Sequence, residues 1–202
     1  ASDEPLREGS PYVAMEWADG GTVRDGMPVD NWADTCGMLV QVLDALSYAH
    51  ARSIIHRDLK PANLLRFDDA PSARSSRQIK LADFGIAHAL GRERDADTMD
   101  LGQAPGTPHY MSPEQVHGAW REYGPWTDLY SLGCIAWHLV CGRPPFAGGS
   151  PLEIALKHDT EPRPPLDAQF PVPDGLEQWI HRCMAVAPQR RFRRAADALW
   201  AL

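Results

Sequence analysis

Residues 56–63 read His-Arg-Asp-Leu-Lys-Pro-Ala-Asn and residues 83–85 read Asp-Phe-Gly, and these two stretches decide the fold of the 202-residue chain. The first follows a predicted helix over 30–50, and the second follows a predicted strand over 78–82. A further strand is predicted over 63–67, so the two strands form a hairpin. That hairpin holds the polar side chains of both stretches on a rigid scaffold, which makes them the candidate functional residues.

Hydrophobic periodicity predicts most of the remaining elements. Four apolar side chains recur at spacings of three and four residues and share one face of the first helix: Cys36, Leu39, Leu43 and Leu46. Residues 127–141 are apolar on nearly every side, which is typical of a helix buried at the centre of a domain. The other predicted elements are a strand over 11–17 and helices over 151–158, 174–186 and 194–202. Residues 83–113 show no periodicity, and a long irregular stretch inside a compact domain is usually functional.

Composition excludes several classes of protein. The formal charge is −7 and 44% of the residues are apolar, as in a globular protein with a core of its own. This balance argues against a disordered chain and against a basic nucleic-acid binder. No run of about 18 apolar residues is present, so no membrane span is predicted. The first ten residues are polar and acidic, so we expect no signal peptide here.

All four cysteines lie inside apolar helical patterns. They are Cys36, Cys134, Cys141 and Cys183. This pattern predicts buried thiols in a reducing compartment, and therefore a cytoplasmic location, rather than a disulfide framework. The alternative is a metal site, because Cys134, His138 and Cys141 share one face of a predicted helix. It is less favoured, since structural zinc sites usually pair close ligands such as C-x-x-C.

Two further segments leave an alternative open. Residues 161–175 contain five prolines and are predicted to be an extended connector between helices. The alternative is a proline-rich ligand running from Pro162 to Pro165. The arginine cluster in residues 190–194 is predicted to be a solvated face with one structural ion pair, and the alternative is an anion-binding patch.

The two opening stretches, with Gly106-Thr107 and Ser112-Pro113-Glu114, match the catalytic-loop, D-F-G and A-P-E motifs of protein kinases, with serine in place of alanine. The chain therefore resembles the eukaryotic-like (Hanks-type) bacterial serine/threonine protein kinases from about residue 11 to 202. The resemblance implies an α+β, mostly α-helical fold: the large C-terminal lobe with a short β-hairpin and the hinge strand. Lys60, two residues after Asp58, resembles the serine/threonine branch of the family.

The resemblance implies ATP and Mg²⁺ as cofactors and assigns the catalytic residues. Asp58 is the expected general base, and Lys60 places a positive charge near the transferred phosphoryl group. Thr107 is expected to hydrogen-bond both of these side chains. Asn63 and Asp83 are the expected magnesium ligands, because hard cations prefer amide and carboxylate oxygens. Phosphoryl transfer requires positioning and charge neutralisation, which these residue types provide.

The resemblance also assigns a nucleotide-binding segment. Met15 corresponds to the gatekeeper, and the hinge follows it. The carbonyl of Glu16 and the amide of Ala18 are expected to hydrogen-bond adenine, while Leu65 forms an apolar floor beneath the ring. The alternative is that Met15 and Leu65 are ordinary core residues.

Further residues acquire structural or regulatory roles by resemblance. Those with structural roles are His56, Phe84, Glu114, Asp128 and Arg191. Asp128 is expected to brace the backbone of the catalytic loop, and Glu114 is expected to pair with Arg191. Arg57 resembles the arginine of kinases whose activation loop is ordered by phosphorylation. Thr98, between acidic residues of that loop, is the expected phosphorylation site.

The parts of a kinase that cover the phosphates are missing from the sequence. It contains no Gly-rich loop, because Gly20-Gly21 does not form a G-x-G-x-x-G motif, and no V-A-I-K strand lysine precedes the hinge. We therefore expect residues 1–21 to be the end of a small lobe with the hinge strand, residues 22–202 to be the large lobe, and the small β-rich N-lobe to be absent.

Two functions follow from this sequence. The first is an ATP-dependent kinase that phosphorylates Ser and Thr hydroxyls of proteins when a small lobe, from the same kinase or a substitute partner, completes it. The chain alone is then expected to be inactive. The alternative is a catalytically inactive kinase-like scaffold or binding module. Neither needs nucleic acid as a partner.

Overall fold

The structure, a computed structural model, describes residues 14–25, 30–68, 77–84 and 108–202. Within these ranges the helices are α1 (Trp32–His50), α2 (Pro113–Val116), α3 (Pro125–Cys141), α4 (Pro151–Thr160), α5 (Leu176–Cys183) and α6 (Ala195–Trp200). The strands are β1 (Leu64–Asp68) and β2 (Arg77–Leu81), paired antiparallel. The predicted fold class, α+β with mostly helices and one short hairpin, is confirmed.

Helix α3 lies at the centre of the core. Most of its side chains are buried, including Leu129, Tyr130, Leu132, Ile135, Trp137 and Val140. It packs against α1 and α5. The helix begins two residues before the predicted start because Pro125 occupies its first position, where a missing N–H costs nothing. It ends at Gly142, whose φ of 70° is readily adopted only by glycine.

Helix α1 leads directly to the first of the two motif stretches. The side-chain oxygen of Asn31 accepts a hydrogen bond from the Asp34 amide at 3.0 Å and caps the helix. The predicted apolar face is buried, with Leu39, Leu43 and Leu46 fully inaccessible to solvent. The helix packs against α3, α6 and β2, so it is held by three other elements of the fold.

The hairpin holds the second motif stretch beside the first. Leu64 pairs with Leu81 at the end of the ladder. The Ala82 amide then donates to the Asn63 carbonyl at 2.9 Å, one step beyond the ladder. Asn63 and Asp83 are therefore held at the same end of the hairpin, as the sequence predicts.

The strand predicted over 11–17 is wrong for its described part. Residues 14–18 form no ladder with either described strand, and residues 11–13 lie outside the described ranges. Pairing begins later, where the Gly20 amide donates to the Arg66 carbonyl at 3.1 Å and the Arg66 amide donates to the Gly21 carbonyl at 2.9 Å. The reason is physical: strand propensity needs a neighbouring strand, and β1 borders the chain only from Gly20 onward.

Other predictions differ from the structure mainly at element boundaries. Helices α5 and α6 are shorter than predicted, and α2 was not predicted because one turn shows no periodicity. Residues 161–175 contain no regular element before a turn at 174–175, in agreement with the predicted connector. Cys134, Cys141 and Cys183 are buried free thiols, whereas Cys36 is only partly buried. Within the described residues, no helix combines the length and apolar character that crossing a membrane requires.

An ion pair between Glu114 and Arg191 connects α2 with the turn before α6. Two guanidinium nitrogens of Arg191 donate to the two Glu114 oxygens at 2.8 and 2.9 Å. Both side chains are buried. Arg191 also donates to the carbonyls of Ala185, Val186 and Trp126, at 2.7, 2.9 and 3.2 Å. The cluster 190–194 thus contains one structural pair, while Arg193 and Arg194 are exposed.

Burial alone would raise the pKa of Glu114, because it removes water from the charged form. The hydrogen bonds and the charge of Arg191, together with a hydrogen bond from Thr127 at 2.9 Å, outweigh that effect and hold the pKa below its usual value. The pair is therefore fully ionised at neutral pH, and each charge depends on the other.

We expect Arg191→Ala to destabilise the fold strongly, because it leaves the buried Glu114 charge without its partner. Loss of a buried partner costs about 3–5 kcal/mol. In a chain of this size that corresponds to a fall in melting temperature of roughly 10 °C. Arg194→Ala is the matched control, since its side chain is exposed. Calorimetry showing equal melting temperatures for the two variants would contradict the role given to the pair.

Candidate active site

The buried carboxylate of Asp128 organises the backbone of residues 56–63. It lies in the first turn of α3 and is 1% exposed. Its Oδ2 accepts the His56 amide and its Oδ1 accepts the Arg57 amide, both at 2.8 Å. The His50 ring Nε2, at the end of α1, lies 2.8 Å from Oδ2. Three donors thus satisfy a carboxylate that would otherwise be costly to bury.

These hydrogen bonds hold Arg57 in an uncommon conformation. Its φ is 67°, in the left-handed region that residues other than glycine rarely adopt. Such a conformation costs about 1–3 kcal/mol and persists only where the surroundings enforce it. Here Asp128 holds the amide of Arg57, and the side chain of Gln115 donates to its carbonyl at 2.6 Å. The turn places Asp58 immediately after the strained residue.

The ring of His56 connects this loop to the end of β2. Its Nδ1 accepts the Asp58 amide at 3.3 Å, which leaves Nε2 as the protonated nitrogen. Nε2 then donates to the Ala82 carbonyl at 2.8 Å. The Phe84 ring packs on the other side, with ring centroids 4.7 Å apart. His56 therefore contacts the Asp58 amide, the end of β2 and the Phe84 ring, and the structural roles of His56 and Phe84 stay predictions.

Asp58, Lys60 and Asn63 form one hydrogen-bonded group. The Lys60 Nζ donates to Asp58 Oδ2 at 2.7 Å, and the Asn63 Nδ2 donates to the same oxygen at 3.2 Å and to the Asp58 carbonyl at 2.7 Å. The Asp58 side chain is 44% exposed, so its carboxylate remains accessible to a ligand. This arrangement presents a carboxylate and an ammonium side by side at the surface.

Two oxygen donors beside this group suit a hard cation. The Asn63 amide nitrogen is used in both bonds to Asp58, so the amide oxygen is the end that could bind a metal. Asp83 is exposed at the end of the hairpin and has a φ of 59°, so it too is held in a left-handed turn. An amide oxygen and a carboxylate fit Mg²⁺.

The alternative metal site on α3 finds no support. Among the described residues, no cluster of three or more His, Cys, Asp or Glu is arranged to hold a metal ion. The Tyr110 hydroxyl and His138 Nδ1 are hydrogen-bonded at 2.6 Å. Burial lowers the pKa of His138, with a further contribution from His109. This ring is therefore a neutral partner of Tyr110.

The predicted nucleotide-binding residues lie at the edge of the hairpin. Met15 is 58% exposed, and Leu65 is half-buried in β1, so neither belongs to the core as the alternative interpretation requires. Glu16 is exposed and its side chain pairs with Lys80 of β2. Ala18 is half-buried. The residues after it, Gly20 and Gly21, form backbone hydrogen bonds with Arg66 of β1. Met15, Glu16 and Ala18 thus lie on a segment anchored beside Leu65.

The remaining predictions fall partly outside the described residues. Thr107 and Thr98 both lie outside the described ranges, so their expected roles stay predictions. Arg57 is described, and among the described residues no acceptor reaches its buried Nε atom. Two contributing residues were not predicted from the sequence: His50, which contacts the Asp128 carboxylate, and Gln115, which donates to the loop carbonyl of Arg57. Both side chains bond to groups that are distant in the sequence, either a backbone carbonyl or a buried carboxylate. The spacing of residues along the sequence does not reveal such contacts.

Comparisons with known proteins agree with this geometry. Residues 7–199 match the family described as the protein kinase domain. The chain is 34% identical over 194 residues to serine/threonine-protein kinase PknB of Mycobacterium leprae, covering 93% of this chain and 29% of that protein. It is 36% identical over 201 residues to the probable serine/threonine-protein kinase PknB of Bifidobacterium longum, covering 98% and 28%. The chain therefore spans less than a third of the length of these relatives.

We expect Asp128→Asn to loosen the loop while leaving the core filled. The amide that replaces the carboxylate has one acceptor oxygen, so one of the two loop amides faces an N–H group. A buried donor left unsatisfied costs about 1–3 kcal/mol. Hydrogen exchange of residues 54–60 should therefore accelerate and the melting temperature should fall. Asp44→Asn, an exposed position on α1, is the control. Exchange as slow as in the control would show that Asp128 does not brace the loop.

Proposed function

The chain belongs to the protein kinase domain family, and we propose that it forms the large lobe of a serine/threonine protein kinase. In this proposal residues 1–21 are the end of the small lobe with the hinge, and residues 22–202 are the large lobe. The enzyme transfers the γ-phosphoryl group of ATP to Ser or Thr hydroxyls of proteins. The observation that carries the proposal is the hydrogen-bonded group of Asp58, Lys60 and Asn63. The names of the relatives, all serine/threonine-protein kinases, support it.

In the proposed reaction, Asp58 orients the hydroxyl of the substrate and accepts its proton. The hydroxyl oxygen forms a bond to the γ-phosphorus, and the bond from that phosphorus to the bridging oxygen of ADP breaks. Lys60, 2.7 Å from Asp58 Oδ2, lies close enough to offset negative charge on the transferred group. The hydrogen bonds from Asn63 keep the Asp58 carboxylate in one orientation. Thr107 is proposed to add a further bond to Asp58 and Lys60.

Asn63 and Asp83 are the proposed ligands of magnesium, which fits their oxygen donors. When bound, Mg²⁺ neutralises charge on the phosphates. The role of the protein is to hold the two donors close together. The hairpin does this, since Leu64 pairs with Leu81 and the Ala82 amide bonds to the Asn63 carbonyl.

Adenine is proposed to bind along residues 15–18. Within the described residues, neither the Glu16 carbonyl nor the Ala18 amide takes part in a backbone hydrogen bond, so both remain available to the base. Met15 is exposed and Leu65 is half-buried, so each presents some apolar surface to solvent. This arrangement supports the roles of gatekeeper and floor.

Regulation by phosphorylation is proposed at Thr98. A phosphate adds about −1.5 to −2 charges and can pair with a guanidinium. Arg57 offers one, and its buried Nε has no acceptor among the described residues. A cytoplasmic location is proposed as well, because the cysteines of this chain are free thiols and three of the four are buried.

Asp58→Asn in the full-length protein should lower kcat by roughly 10²–10⁴-fold, because the amide cannot accept the proton. The KM for ATP should change little, since Asp58 is not among the residues proposed to hold the nucleotide. Steady-state kinetics with a Ser/Thr peptide measure both quantities. Asp174→Asn, an exposed carboxylate at a turn, is the matched control. An unchanged kcat would remove Asp58 from the mechanism.

The 202-residue chain on its own should show no measurable transfer from ATP to a Ser/Thr peptide. It contains neither a Gly-rich loop nor a V-A-I-K strand lysine before the hinge to hold the phosphates. The full-length protein, assayed at the same concentration, should be active if its small lobe supplies them. An inactive full-length protein would instead favour the kinase-like scaffold. Activity of the short chain that Asp83→Asn abolishes would mean that phosphate contacts come from residues not identified here.

A further inference from the structure

Gln115 lies outside the residues assigned to the active site, yet its side chain spans two of the segments around it. It belongs to the one-turn helix α2 and is 9% exposed. At one end of the side chain lies Ser112, the residue before α2. At the other end lies Arg57, the strained residue before Asp58.

The hydrogen bonds fix which end of the Gln115 amide faces which segment. Its Oε1 accepts the Ser112 amide at 3.1 Å and the Ser112 hydroxyl at 3.1 Å. Its Nε2 donates to the Arg57 carbonyl at 2.6 Å. A backbone N–H can only donate and a carbonyl can only accept, so the reversed orientation would bring like groups together at both ends.

The bond to Arg57 acts on the peptide plane that carries Asp58. Its carbonyl is held by Gln115, and its N–H, which belongs to Asp58, is held by His56 Nδ1 at 3.3 Å. Asp128 holds the preceding amide. Arg57 has a φ of 67°, an unfavourable conformation that only its hydrogen-bond partners maintain. If one of these partners were lost, the peptide plane would rotate as Arg57 returned to a more favourable conformation. The direction of the Asp58 side chain follows from the orientation of this plane.

A small cavity beside Asp58 is lined by the same two segments. Its lining residues include Asp58 and Lys60 of the first segment and Tyr110, Met111 and Gln115 of the second. A shift of residues 110–115 would therefore reach Asp58 through the Gln115 amide, without any contact between Gln115 and the reacting atoms.

We propose that Gln115 is a positioning residue that couples residues 110–115 to the general base by holding the Arg57–Asp58 peptide plane. This inference rests on the proposed kinase function. Gln115 contributes to kcat by keeping Asp58 aligned and makes no contribution to nucleotide binding.

The test uses Gln115→Glu in the full-length protein. The introduced carboxylate can still accept the Ser112 amide, but its second oxygen opposes the Arg57 carbonyl. We expect kcat to fall by about 10- to 100-fold, the effect of a small misplacement of a catalytic group. The KM for ATP should stay within about twofold of the wild-type value.

The pH dependence separates positioning from a merely structural effect. A protonated carboxyl group can donate to the Arg57 carbonyl as the amide does. Burial and the facing Arg57 carbonyl raise the pKa of this carboxyl group above its usual value, so the ratio of variant to wild-type kcat should rise as the pH falls from about 8 to about 5. Gln178→Glu, the same change at an exposed position on α5, should leave both kcat and this ratio unchanged.

Gln115→Met provides a second variant of similar length that makes none of these three hydrogen bonds. It should lower kcat by a similar factor, with a ratio to wild type that does not vary with pH. Hydrogen exchange of residues 54–60 should be faster in Gln115→Met than in Gln178→Glu, and this readout needs no activity. All rates are measured below the melting transition of each variant.

The outcomes distinguish this inference from the proposed function. An inactive wild-type protein overturns the kinase proposal, and exchange at residues 54–60 then decides the coupling by itself. With an active wild type, an unchanged kcat in Gln115→Glu, a ratio independent of pH, or a raised KM for ATP in place of a lowered kcat overturns the role of Gln115. Unchanged exchange in Gln115→Met does so as well.

Discussion

The buried carboxylate of Asp128 is the constraint on which the candidate site depends. It accepts two consecutive backbone amides, from His56 and Arg57, and contacts the ring of His50. A carboxylate that is almost inaccessible to solvent has a high cost if any of these partners moves. The backbone of the loop before Asp58 is therefore attached to the core helix that supplies the carboxylate.

The first turn of α3 connects this constraint to the second buried charge of the fold. Thr127 donates to Glu114, and its neighbour Asp128 accepts the loop amides. The segment before α3 and the motif loop are thus both attached to consecutive residues of one central helix. Arg191 donates both to the Glu114 carboxylate, as Thr127 does, and to the carbonyls of Ala185 and Val186 after α5. It therefore connects the segment after α5 to the same carboxylate. The hydrophobic core positions the site through these few polar contacts.

Some of this could be predicted from the sequence, and the division has physical causes. The long helices could be predicted from the periodicity of their apolar residues. The spacing of the motifs indicated the hairpin and the polar residues at its end. The partnership of Glu114 with Arg191, 77 residues apart, was reachable only through the family resemblance. The error over residues 14–17 arose because pairing depends on a neighbouring strand that local propensity does not report. His50 and Gln115 were missed because their partners are set by the tertiary fold, which residue spacing does not reveal.

The buried cysteines of α3 and α5 have a consequence for the chemistry of the folded chain. Burial raises the pKa of Cys134 to about 12, and it raises the pKa of Cys183 well above the usual range of a thiol. The thiolate is the reactive form, so neither sulfur is an effective nucleophile at neutral pH. Oxidants and alkylating reagents can then reach these sulfurs only when α3 and α5 separate. Covalent labelling of these two thiols therefore measures how often the core opens between α3 and α5.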